Sequence, residues 1–304
     1  MDQPLVSDGS SRGSVPPGTD KPILFLPSDL VVEPGSHPFV AIVRTREELS
    51  QWLSNPPSGL QWLEVDDLLG DPDAWVSATQ NASNVPLDVF LAKPGSQFSD
   101  LYSLVDVCAV RDVRVSMLAS PGFLKALKLA LALRLPVRLL PGQPAPEVCA
   151  ELTEAATFYL RDPMVETPVE FLHSALAFMS GTDTGSLWTI LEEDPDIFLR
   201  QDPAGRAKLP SASSSLLPAV SLPAFVATRF KQLVEQNTEC TTCPWQQICQ
   251  GYFKWPDPAY DCRGVKQLFS TIKAAADEMG QELARRDRAH PEDQLGEFGP
   301  VVSS

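Results

Sequence analysis

Between residues 22 and 160 short apolar runs alternate with stretches whose apolar positions recur every three or four residues. The runs at 23–26, 39–43, 60–65, 87–92, 113–118 and 137–140 have the length and β-branched content of buried strands. The spans 46–53, 73–78, 98–105, 122–133 and 147–159 carry helical spacing. Repeated β-α units imply a mainly parallel sheet, because right-handed crossovers pack each helix back onto the sheet. The expected fold class is therefore α/β, as a partial or degenerate (β/α) barrel-like parallel sheet, although units of this size also build doubly wound sheets.

Beyond this region the pattern changes. Helical spacing at 169–179 and 185–191 leads through Asp-Pro-Asp-Ile-Phe into a Pro-, Ser- and Ala-rich stretch. The expected organisation is an α/β domain over 22–200, a linker over 201–223 and a small Cys-rich module over 224–286. Within the module, helices are predicted at 224–235 and 265–286 on either side of the cysteines. The polar, Gly- and Pro-bearing ends, 1–21 and 287–304, are expected to be disordered tails.

Four of the six cysteines, Cys240, Cys243, Cys249 and Cys262, fall in the module. Four thiolates are a full ligand set for one metal centre. A structural zinc site usually pairs two tight knuckles, and this segment has one, Cys240-Thr241-Thr242-Cys243. The other two cysteines stand among Trp245, Ile248, Tyr252, Phe253 and Trp255, residues suited to the dry wall of an iron–sulfur cluster. A [4Fe-4S] cubane suits the spacing better; zinc is the alternative.

The run CxxCxxxxxCxG (Cys240, Cys243, Cys249, Gly251), followed by Cys262 and the apolar helix of Val265, Leu268, Phe269 and Ile272, resembles the C-terminal SPASM domain of radical SAM peptide-modifying enzymes. The resemblance implies one auxiliary [4Fe-4S] cluster on Cys240, Cys243, Cys249 and Cys262. The second auxiliary cluster of that family lacks its counterparts here, since no cysteine lies between Cys149 and Cys240 and Phe253 stands at its downstream position. The CxxxCxxC motif that binds the catalytic cluster is also absent: after residues 39–43 comes Arg-Thr-Arg-Glu-Glu-Leu, and Cys108 and Cys149 are solitary. What the resemblance implies is a relative without radical chemistry or S-adenosylmethionine. It would bind a precursor peptide, an intact radical SAM enzyme, or both.

Charge narrows the partners. With 39 acidic against 24 basic residues the formal charge is -15, which disfavours nucleic acid and favours a basic peptide or protein. The most apolar stretch, 123–140, is interrupted by Lys125, Lys128, Arg134, Pro136 and Arg138, so no membrane span is expected. Clustered thiols and a polar N-terminus without a signal-peptide pattern point to the cytoplasm. An iron–sulfur nuclease is a weaker reading, because Asp88 and Lys93 do not make its catalytic core. Glu64, Asp66 and Asp67 close a predicted strand, where α/β proteins place ligands, but a solvated loop is the plainer interpretation. His173 reads as a helix-face residue, and Cys108 and Cys149 as small buried hydrophobes.

Overall fold

Nine strands form one sheet: β1 (Ile23–Pro27), β2 (Phe39–Val43), β3 (Leu60–Val65), β4 (Leu87–Leu91), β5 (Val113–Leu118), β6 (Val137–Leu140), β7 (Val169–Glu170), β8 (Phe198–Gln201) and β9 (Ala207–Lys208). The computed structural model describes residues 22–30, 37–202, 204, 206–208 and 224–289. The spatial order is β7-β6-β5-β4-β3-β2-β1-β8-β9, and every pair is parallel except β8 with β9. Strands β1 to β7 follow one another without a reversal, so the sheet is wound in one direction, as in a barrel. β8 pairs with β1, as it would in a closed eight-strand barrel, while β7 stands at the opposite edge. The eight parallel strands thus make an open half-barrel.

Local signals set the helix starts. Thr45 and Glu48 form a reciprocal capping box at the Arg46–Ser54 helix, and Asp71 caps the Pro72–Gln80 helix, whose first residue is proline. Asp71 also binds Arg46 at 2.8 Å, tying the two helix starts together. On the helix-covered side of the sheet, Val43, Leu63, Val65, Val89, Val115, Met117 and Leu139 pack against helices such as Phe123–Ala132 and Pro146–Arg161. The opposite face carries a smaller apolar cluster of Ile23, Phe25, Val40, Ile42 and Phe198.

Three expectations change. Val169 and Glu170, read as helical, pair with β6 as a strand, because the open edge of β6 supplies backbone partners that the local pattern does not show. The sheet continues through β8 and β9 into the span read as linker, to Lys208. The final helix runs Arg263–Ala289, so 287–289 are helical and not tail, in keeping with the helix-favouring Ala and Arg of its last turns. Residues 1–21, 209–223 and 290–304 lie outside the described residues. Among the described residues no helix is long and apolar enough to cross a membrane.

Candidate metal centre

Short turns place each cysteine of the module. Thr238 caps the turn Glu239–Thr242, its hydroxyl accepting from the Cys240 N–H at 3.4 Å, and the Cys243 N–H donates to the Cys240 carbonyl at 3.3 Å. This closes the knuckle. The one-turn helix Gln246–Cys249 delivers Cys249 and is stopped by two left-handed residues, Gln250 (φ 42) and Gly251 (φ 75). Glycine suits position 251 because φ there is 75, a conformation that strains a side chain, and a Cβ would also press on a Leu233 methyl at 2.6 Å. The reversal aims the N–H groups of Gly251 and Phe253 at the Cys249 sulfur. Cys262 immediately precedes the final helix, and its N–H points at a Glu239 carboxylate oxygen 3.4 Å away.

All four cysteines line one partly open pocket, with Trp245, Phe253, Val265 and Phe269 among its apolar walls. Of the aromatic and apolar neighbours expected from the sequence, Trp245 and Phe253 line it, whereas Ile248, Tyr252 and Trp255 do not. Burial lifts the Cys249 thiol to about 11 and Cys262 to about 12, and pushes Cys240 upward as well. Metal binding at such thiols would release protons. Glu239, Lys254 and Lys266 complete the wall. Burial opposes the charge of Glu239, but hydrogen bonds from Lys254 and Lys266 prevail and bring its pKa down to about 2.

Zinc at about 2.3 Å from each of four sulfurs needs them all to converge on one point. Among the described residues no group of three His, Cys, Asp or Glu side chains is placed to hold a metal ion. The four cysteines share the lining of one pocket, and the Cys249 sulfur accepts from two backbone N–H groups, as a thiolate ligand can. Cys149 and Cys108 do not line the cavity. Cys149 is buried against Gly264, and burial raises Cys108 to about 11.

The concave face of the half-barrel holds a second group that sequence reasoning did not assemble. Register sets Glu64, Asp88 and Arg114 side by side on β3, β4 and β5. Asp88 binds Arg114 at 2.5 Å and Arg138 at 2.9 Å, and Glu192, from the loop before β8, pairs with both arginines. Ser116 donates to Asp88 at 2.5 Å and accepts from Arg138 at 2.9 Å. Glu64 is clamped by Arg200, two bonds at 2.8 Å each. These charges satisfy one another, so the face is a closed ion-pair network. The signal in the sequence was a charge at alternate positions of otherwise apolar strands, as in Leu87-Asp88-Val89 and Val113-Arg114-Val115.

The three carboxylates at the end of β3 do not act as a set. Glu64 is buried in its arginine clamp and Asp67 is exposed; Asp66 pairs with Arg44 at 3.1 Å. Burial and the neighbouring Glu64 raise Asp66 to about 6. His173 accepts or donates one bond to the Tyr159 hydroxyl at 2.9 Å, in line with a helix-face role.

The two regions meet at Tyr252 and Glu193. Tyr252, three residues after Cys249, stacks edge-on against Phe253 at 5.2 Å and hydrogen-bonds to Glu193, whose carboxyl feels Arg138 and Arg200. The Gln143 amide donates to the carbonyls of Phe253 and Asp257 at 3.0 and 2.8 Å, and the Tyr260 hydroxyl donates to the Pro144 carbonyl at 2.6 Å. The cysteine cavity therefore stands beside the C-terminal end of β6. No protein-family model, curated protein or solved structure matches this chain.

Proposed function

We propose that Cys240, Cys243, Cys249 and Cys262 hold one [4Fe-4S] cluster, and that the protein is a non-catalytic iron–sulfur protein acting in the modification of a ribosomally made peptide. The observation that carries the cluster is the shared pocket: four cysteines from three separate turns line it together. Bound there, the cluster would supply one-electron chemistry or a structural staple. With all four irons ligated by cysteine, no coordination site remains for S-adenosylmethionine. The peptide role rests on the SPASM-like spacing of the cysteines. The charge of -15 supports a basic peptide, or an intact radical SAM enzyme, as the binding partner over nucleic acid.

Protein purified without oxygen should be brown, absorb broadly near ~400 nm and carry about four irons per chain. Cys262→Ala should lose most of that iron. Stoichiometric zinc, with no iron taken up on reconstitution, would replace this reading with that of a zinc-stapled interaction protein.

A further inference from the structure

Lys254 is a buried cation on the wall of the four-cysteine cavity. It is 5% exposed, lines the cavity, and its ammonium group donates to the Tyr260 carbonyl and pairs with Glu239 at 2.7 Å. Its charge acts directly on Cys240 and Cys262. Burying an ammonium is costly, and a pair of apolar side chains would join residues 239 and 254 at lower cost if joining them were the purpose. Its counterion, moreover, is shared: Glu239 is 32% exposed and also binds Lys266. A buried positive charge whose carboxylate partner is shared with Lys266, set beside Cys240 and Cys262, is arranged to stabilise negative charge inside the cavity.

We propose that Lys254 sets the reduction potential of the group held by the four cysteines, with Glu239 as its opposing charge. This rests on the iron–sulfur reading above. A four-thiolate cubane carries two net negative charges when oxidised and three when reduced. The added electron comes from an external low-potential one-electron donor, no bond is made or broken, and Lys254 stays protonated in both states. A nearby ammonium favours the more negative state and so raises the potential; a nearby carboxylate lowers it.

The test is a dithionite titration of iron-loaded full-length protein, followed by electron paramagnetic resonance, for wild type, Lys254→Met and Glu239→Gln. Lys254→Met should lower the ratio of reduced to oxidised cluster at fixed potential about tenfold, a shift of ~59 mV, and Glu239→Gln should move it the other way. A purely structural role would loosen the wall in both variants and shift both potentials in one direction, or in neither, and either result overturns the proposal. If Lys254→Met fails to load iron, the sign of the Glu239→Gln shift decides alone. Wild-type protein without iron would remove the cluster reading and this inference together; iron present with unmoved potentials would remove only this inference.

Discussion

At the scale of single residues, Glu193 shows how far tertiary surroundings can change a side chain's chemistry. It is 6% exposed, and burial raises its pKa to about 7 against the opposing pull of Tyr252, Arg138 and Arg200. An unfolded glutamate titrates near 4.5, so between about pH 4.5 and 7 the folded chain binds more protons than the unfolded one. Stability from this group is present in full below that window and is lost as pH rises through it. The loss should be roughly 3 kcal/mol. Glu193→Gln should remove it, so urea unfolding at pH 5 and pH 8 should show the variant gaining on wild type at the higher pH. An equal difference at both values would contradict the burial argument. In sequence, nothing in Leu191-Glu192-Glu193-Asp194 marks one carboxyl for an ion-pair ring and its neighbour for burial beside Tyr252.

At the scale of elements, the final helix joins the module to the half-barrel. Val265, Phe269, Ile272, Ala276, Met279 and Leu283 recur at alternating spacings of four and three, which is the seam of a packed helix. The first four are buried, and the helix packs on Pro146–Arg161 and Leu172–Met179. Met279 and Leu283 extend the same seam but are 44% and 57% exposed. The close contact is at Gly264, where a Cβ would lie 2.6 Å from the Cys149 Cβ and 2.7 Å from its sulfur. Alanine is intrinsically the better helix former by about 1 kcal/mol, yet Gly264→Ala should destabilise the protein by ~1–3 kcal/mol, because the two helices must move apart. Thermal unfolding checks this; a raised midpoint would show that the helices have slack. Helical periodicity made the element legible, whereas its partner and its closest approach were not, since a glycine in a helix start carries no mark of what faces it.

At the scale of the whole molecule, the half-barrel depends on a strand that returns to the beginning of the sheet. β8 pairs with β1, and Arg200 on β8 reaches across to Glu64 on β3 while lying over the Phe25 ring at 5.0 Å. Arg200→Met should leave Glu64 buried without its counter-charge and cost about 3 kcal/mol. The damage should be local: hydrogen exchange should show Phe198–Gln201 losing protection while Val113–Leu118 keeps it. Equal loss on both strands would mean that the half-barrel opens as one unit and that β8 is not its separable edge.

The strand positions of β2, β3, β5 and β6 were determined by the sequence itself, because runs of buried apolar residues with flanking turn signals carry their own boundaries. So was the choice of candidate residues: thiols at those spacings single out Cys240, Cys243, Cys249 and Cys262, and the fold brings all four to the lining of one pocket. Tertiary structure decided what depends on distant partners. Phe198-Leu199-Arg200-Gln201 became a strand because β1 offered it an edge. Charges on alternate strand positions became a closed network because register set them side by side. Lys254 became a buried cation because the turn that presents Cys249 folds it inward against Glu239. Local pattern is written in neighbouring residues, but pairing, burial and charge balance belong to residues that meet only when the chain has folded.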